Sequence, residues 1–389
     1  MHIAHFTNTY FPSISGVVRS VTSFRRGLTE LGHNTFVFTQ QASDYEDEEP
    51  FIFRYISLNI GLPYEFPATI PISPFMDRLI PSLKLDVIHA HHPVLLGQIA
   101  ANKAQELNLP LVFTFHTRYR EYSHYIPIPQ ERVQEFLREA IDLWLNDYIK
   151  QCDHIVVPSE SMRQVLADLY EVDKPVTVVA TGIDLRPYQS ADGARVRAER
   201  GWGDDQVIIS VSRLAAEKNW PTLLEAVAKL KPDHPRLRLV AIGDGPAKRK
   251  LSKLASKLGI SQQVEFLGKL PFEEIPSYLK AADLFAFAST SETQGLVTLE
   301  AMAAGLPIVA VDAIGTSDVV EHEVDGLLTE DDSAALAAQI DRLLSSPEQL
   351  AHYRAASLKK AQSLEITKQS KKLLAVYEEV IKQKQAVAA

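Results

Sequence analysis

The sequence predicts an α/β protein made of two doubly wound parallel-sheet domains. Three observations carry that prediction. Short β-rich apolar runs alternate with stretches of helical period along almost the whole chain, the order that produces parallel sheets with helices on both faces. The scheme runs twice, with a break in periodicity near the middle of the chain. The length, 389 residues, suits two domains at roughly 100–200 residues each.

In the first half the strands read as His2–Thr7, Thr35–Gln40, Phe51–Ile56, Val87–His91, Leu111–Phe115, His154–Pro158 and Val176–Ala180. The first leads into a polar loop, Thr7–Val18, with a helix opening at Gly16. The clearest helix is Gln130–Ile149, where Val133, Phe136, Leu137, Ala140, Ile141, Trp144, Leu145 and Tyr148 form one apolar stripe. Periodicity fails between Ala180 and Gln206, where Thr181-Gly182-Ile183-Asp184 and Gln189–Ala194 bring Gly, Asp and Ser. The domains are therefore expected at 1–185 and 186–366. In the second half strands read at Val207–Ser212, Leu237–Ile242, Val264–Leu267, Leu284–Ala288 and Pro307–Val311. Helices read at Trp220–Leu230, Ala247–Leu258, Phe272–Ala281, Leu296–Ala304, Ser333–Leu344 and Pro347–Gln362, and an amphipathic tail helix at 367–385.

Composition narrows the function classes. The chain is 46% hydrophobic and 23% charged, close to the globular average. No apolar run approaches the ~18–20 residues of a membrane span. The single cysteine, Cys152, excludes an internal disulfide framework and a cysteine-based metal site. The first residues lack a basic region ahead of an apolar core, which points away from a signal peptide and toward the cytoplasm. Net charge is −9, from 40 basic and 49 acidic residues. That balance argues against a nucleic-acid partner, which calls for a basic surplus. Residues 1–189 carry −7 and the remainder −2, so any basic site is local and better sought in the second half.

Ligands of open α/β sheets bind outside the carboxyl ends of the strands, and the loops there carry the unusual chemistry. Gly16 opens a helix whose N terminus suits an anionic group, and glycine permits close approach; a plain turn glycine is the alternative. Arg213 and Lys218 share one strand-to-helix loop and could clamp a diphosphate, or be two solvated charges. Glu292 and Glu300 flank a helix start at Gly295, with Glu300 roughly 7–8 Å along the axis at ~1.5 Å per residue. That spacing suits a nucleotide sugar: one carboxylate on hexose hydroxyls, the helix N terminus on the diphosphate, the other carboxylate on the ribose. The alternatives are a capping charge at Glu292 and an exposed helical glutamate at Glu300. His116 follows an apolar strand and is expected to point into the interdomain cleft, unless it is a core histidine. His89, His91 and His92 mimic a metal cluster, but no acidic residue or further histidine stands at ligand spacing. No Asp-x-Asp occurs anywhere, so the usual holder of a metal–diphosphate complex is missing, and neither metal nor cofactor is expected.

These residues together resemble the family 4 retaining glycosyltransferases of the GT-B fold, two Rossmann-like domains facing across a cleft. The most specific piece is the E-x7-E element, Glu292 to Glu300, followed by Ala301-Met302-Ala303-Ala304-Gly305-Leu306-Pro307. Arg213 with Lys218, Gly243-Asp244-Gly245-Pro246, His116-Thr117 and Gly16-Val17-Val18 support it in the right order. The resemblance implies that Arg213 and Lys218 hold the donor diphosphate as leaving group, that Glu300 binds the ribose and that Glu292 binds the transferred sugar. Main-chain N–H groups around Gln294, Gly295, Leu296 and Val297 would touch sugar and phosphate. His116 would lie beside the reacting carbon, Gly16 would let the first loop approach the donor, and the tail helix would pack back on the first domain. Transfer would proceed with retention and without a metal, a donor phosphate oxygen taking the acceptor proton. The sequence departs from the family at Thr293 and Gln294, where many members carry Gly-Phe.

For the acceptor, Ile14–Val18 and His116–Tyr125 are similar to the subgroup that glycosylates diacylglycerol. The segment Phe66–Leu85, with Ile70, Ile72, Phe75, Met76, Leu79 and Ile80, could dip into a bilayer interface, or be a buried edge helix. The expected partners are a nucleotide diphosphate sugar, UDP-glucose first, and a lipid acceptor, with peripheral contact on the cytoplasmic membrane face. Transfer to a soluble sugar or polysaccharide is the runner-up. A nucleotide-sugar epimerase and a non-catalytic binder stand behind it.

Overall fold

The computed structural model describes residues 1–42, 44–58, 68–119 and 131–388. It divides into two compact units, Met1–Gly182 with Ile366–Ala389, and Ile183–Glu365.

The first unit is built on strands β1 (His2–Phe6), β2 (Asn34–Gln40) and β3 (Ile52–Tyr55), a short antiparallel ribbon β4 (Ser57–Leu58) and β5 (Ala68–Thr69), then β6 (Val87–Ala90), β7 (Leu111–Thr114), β8 (His154–Val157) and β9 (Val176–Val178). Seven of them form one parallel sheet in the order β3-β2-β1-β6-β7-β8-β9. Helices α1 (Gly16–Glu30), α2 (Pro74–Ser82), α3 (Leu96–Glu106), α4 (Glu131–Gln151) and α5 (Glu160–Leu169) connect them. Strands covered on both faces read as near-continuous apolar runs; β6 and β8 are buried at every position, including the histidine each carries, His89 and His154.

The second unit opens with α6 (Arg186–Gln189) and α7 (Gly193–Arg200). Strands β10 (Gln206–Val211), β11 (Leu237–Ile242), β12 (Val264–Gly268), β13 (Leu284–Phe287), β14 (Ile308–Val311) and β15 (Leu327–Thr329) follow. They form a parallel sheet in the order β12-β11-β10-β13-β14-β15. Between and after them lie α8 (Trp220–Leu230), α9 (Lys248–Lys257), α10 (Ile275–Ala281), α11 (Leu296–Ala303), α12 (Ser333–Leu344) and α13 (Pro347–Ser363).

The last helix, α14 (Ile366–Ala388), returns to the first unit. Its buried Leu373, Val376, Tyr377 and Val380 fall at helical spacing and pack with Ile3, Phe24, Leu28, Val87, Val112 and Val156. Each such side chain, fully buried, contributes about 1.5–3 kcal/mol, which is why a polar tail helix docks at all.

Candidate active site

In the second unit the loops at the carboxyl ends of the strands are tied to one another. Leu214 N–H donates to Asp244 O at 3.0 Å, Ala247 N–H to Leu214 O at 2.9 Å and Gly243 N–H to Gly268 O at 2.8 Å. Thr290 N–H reaches Glu217 O at 3.3 Å. The loop after β10 is thereby fastened to the loops after β11 and β13.

Lys218 closes a short 3₁₀ turn in that first loop. Its Nζ donates to Glu292 Oε1 at 2.6 Å, and Ser289 Oγ donates to the same oxygen at 2.9 Å. The two charged side chains are only 14% and 16% exposed, so salt screens them little. Arg213 is placed differently. It is 57% exposed and its Nη2 donates to Glu217 Oε1 at 2.6 Å. The two cations expected on one anion are therefore held on separate carboxylates.

Gly295 is the N-cap of α11, in the left-handed region at φ 71°, and no side chain caps the helix. Thr298 and Leu299 both donate to Gly295 O, at 3.0 and 3.2 Å. The first-turn N–H groups of Leu296 and Val297 have no acceptor inside the helix, and the dipole end there favours an anion. Gln294 and Glu300 are buried, 4% and 6% exposed. The exposed-glutamate alternative for Glu300 therefore fails, because the apolar faces of α11 are themselves packed into the core. Gly315, after β14, adds a constraint that sequence reasoning missed. Its φ is 80°, and a Cβ there would stand 2.5 Å from the Glu292 carbonyl carbon. The loop after β14 thus presses on the backbone that carries Glu292. Its signal, a glycine soon after an apolar strand, is common to many turns.

In the first unit Gly16 begins α1, whose N-cap is Ser15; the Ser15 hydroxyl accepts from Val18 N–H at 3.3 Å. A Cβ on Gly16 would meet nothing within 4 Å, so local packing does not demand glycine there. His116 stands two residues past β7, 8% exposed. Its Nε2 lies 3.0 Å from His91 Nδ1, and His91 Nε2 lies 3.0 Å from His5 Nδ1. His89 sits beside them, with its ring nitrogens 2.6 Å from the hydroxyls of Tyr377 and Thr114. His92 accepts from Asn8 N–H at 3.1 Å. Burial pushes His5 and His116 down to about 3 and His92 to about 4. Burial, reinforced by the neighbouring histidines, holds His89 and His91 well below the usual range. At neutral pH all five rings are uncharged.

The fold corrects one expectation here. No further histidine stands near His89, His91 and His92 in sequence, yet β1 supplies His5, and ring nitrogens of His5, His89 and His91 lie within 4.8 Å of one another. His92 is not part of that group. Both nitrogens of His89 and of His91 are already hydrogen-bonded, so the rings satisfy one another and the hydroxyls around them.

The segment expected at an interface is divided by α2. Met76 and Ile80 are buried and Leu79 packs on the core, whereas Ile72 is 78% and Phe75 62% exposed. Phe66 and Pro67 of that segment, and 120–125 of the His116–Tyr125 stretch, lie outside the described residues. No helix among the described residues is long and apolar enough to cross a membrane.

Two family models match the chain, glycosyltransferase family 4 over residues 14–186 and glycosyl transferases group 1 over residues 194–360. Alpha-monoglucosyldiacylglycerol synthase of Streptococcus pneumoniae is 31% identical over 373 residues, covering 90% of this chain and 80% of that protein. The enzyme of the same name from Acholeplasma laidlawii is 33% identical over 320 residues, covering 79% and 80%. Among solved structures, Anabaena HepE in complex with UDP and glucose superposes with a TM-score of 0.77 at 20% identity, over 97% of this chain and 100% of that one. That likeness is one of fold, GT-B. Identity above 30% along most of the length of both synthases, with both family models in register on the two units, makes this chain a member of glycosyltransferase family 4.

Proposed function

We propose that this glycosyltransferase moves a glucosyl group from UDP-glucose to the free hydroxyl of diacylglycerol at a membrane surface, with retention and without a metal. The observation that carries the donor half is the Lys218–Glu292 pair beside the uncapped start of α11. A diphosphate at that helix start meets the N–H groups of Leu296 and Val297 and two nearby cations. Arg213 is the readier to move, because an exposed pair of its kind is worth about 0–1 kcal/mol. The acceptor oxygen attacks the anomeric carbon as the bond to the diphosphate oxygen breaks on the same face. A diphosphate oxygen takes the acceptor proton. Negative charge grows on the leaving group, and donors already fixed in place stabilise it most. In this reading Glu292 and Gln294 hold the hexose, Glu300 the ribose, and no protein nucleophile is required. His116 contacts the transferred sugar, and the open space at Gly16 admits the ligand.

The lipid acceptor is supported by the two synthases above and by exposed Ile72 and Phe75. Apolar attachment fits better than electrostatic attachment, since residues 1–189 carry a net −7. The test offers UDP-glucose, UDP-galactose and GDP-mannose with diacylglycerol vesicles in the presence of EDTA, and identifies products by mass spectrometry. Hexosyl-diacylglycerol from UDP-glucose is expected. Transfer confined to soluble sugars would overturn the acceptor assignment, and loss of activity in chelator restored by manganese would overturn metal independence.

A further inference from the structure

Three buried imidazoles stand in series in the first unit: His5 on β1, His91 after β6 and His116 after β7. They are joined Nδ1 to Nε2 at 3.0 Å each. A neutral imidazole has one N–H and one lone pair. Both bonds can therefore form in only two ways, with every proton on Nδ1 or every proton on Nε2. Burial keeps the rings neutral, as their lowered proton affinities indicate. The far end of the chain distinguishes the two arrangements. His5 Nε2 is buried with no hydrogen-bond partner among the described residues. With protons on Nε2, that atom would be an orphaned buried N–H; with protons on Nδ1 it is only an unused lone pair. Orphaned buried N–H groups are the rarer defect. The surroundings include Arg25 of α1, which is paired with Glu49, Tyr377 of α14, Thr114 of β7, His154 of β8 and His92. Among the described residues in this set no carboxylate faces the three rings directly to draw a proton the other way.

We infer that His5 and His91 are positioning residues that hold His116 in its Nδ1–H tautomer, so that His116 offers substrate an N–H and not a base. This rests on the reading above that His116 meets the transferred sugar. The Nδ1–H then donates to a sugar oxygen, which fits a mechanism in which the donor phosphate takes the acceptor proton. Fixing the tautomer of a working histidine through a buried partner is a known way to set its role.

The test has two arms. In the first, the whole protein labelled with ¹⁵N-histidine is examined by ring ¹H–¹⁵N correlation, with His116 assigned through His116→Gln. Protonated Nδ1 and bare Nε2 at neutral pH are expected; a proton on Nε2, or a mixture, would overturn the inference without touching the assignment of His116 to the site. In the second, His91→Leu and His91→Gln are compared in turnover with UDP-glucose and diacylglycerol vesicles. The leucine variant should lose about tenfold in kcat with little change in KM, and the glutamine variant, whose amide can accept from one neighbour and donate to the other, should recover to within about threefold of wild type. Full turnover in His91→Leu, with His116→Ala inactive, would remove His91 as a positioning residue. Full turnover in both would mean that His116 itself lies outside the chemistry.

Discussion

Replacing Lys218 by methionine removes the ammonium while keeping most of the apolar stem, and its effect on turnover should far exceed its effect on folding. Loss of one fixed donor to a developing oxyanion costs about 10²–10³ in kcat, or ~2.7–4 kcal/mol. Stability should fall by less. Exposed pairs are worth about 0–1 kcal/mol and breaking a fully buried one costs ~3–5 kcal/mol. Lys218 and Glu292 lie between these limits at 14% and 16% exposure, and Ser289 still serves the carboxylate after the change. A loss of about 1–2 kcal/mol follows, which lowers Tm by about 2–8 °C for a unit of this size. Arg213→Ala supplies the contrast. Its pair with Glu217 is more exposed than that of Lys218, 57% at Arg213 and 23% at Glu217, so stability should fall by no more than about 1 kcal/mol while turnover still falls steeply. The assay is steady-state kcat and KM with UDP-glucose, beside thermal melts of the same preparations. Turnover within about threefold of wild type in both variants would refute the role given to this loop.

Other outcomes follow from the same geometry. Gly315→Ala should destabilise the second unit and cut turnover, since left-handed backbone costs roughly 1–2 kcal/mol and the new Cβ collides with the Glu292 backbone; wild-type kinetics and Tm would contradict the contact. Phe75→Asp should weaken vesicle sedimentation with little salt dependence and leave Tm unchanged, whereas Leu79→Asp should lower Tm because Leu79 packs on the core. The histidine chain predicts acid sensitivity. The folded state holds His5 and His116 at about 3 while the unfolded chain titrates near ~6.5, so the unfolded state binds more protons as pH falls below that value. Each such ring removes up to about 1.4 kcal/mol per pH unit, and urea melts at pH 7.5, 6.5 and 5.5 should show stability lost toward acid; a flat profile would count against buried neutral rings.

Much of the fold was legible because the burial of a strand or helix face repeats at short range. Leu237–Ile242, Trp220–Leu230 and Ser333–Leu344 have the same bounds in sequence and structure. Elements held by polar bonds gave no such signal. Helix α7 buries only Val196 and is secured by an Asp192 cap, with Arg197 on Ala281 O and Asp283 and Arg200 on Tyr278, so its segment reads as a break. Strand β15 has three residues at a sheet edge. In α4, Leu145, Tyr148 and Ile149 of the helix are buried but Ala140 is exposed; the side chains of Val133, Phe136 and Leu137 lie outside the described residues. At the site, Glu292, Gly295 and Glu300 share one short segment and their spacing is visible in the chain. The bond between Lys218 and Glu292 spans 74 positions and that between His5 and His91 spans 86. Both depend on strand order: β13 lies beside β10, and β6 beside β1.

Proton NMR of the product tests the proposed retaining transfer of glucose to a lipid hydroxyl. Protein, UDP-glucose and diacylglycerol vesicles are incubated in EDTA, and the glycolipid is isolated for measurement of its anomeric coupling. An α-glucosyl diacylglycerol, matching the α configuration of the donor, is the predicted product. A β-linked product would contradict retention, and release of free glucose or transfer only to a soluble sugar would contradict the lipid acceptor.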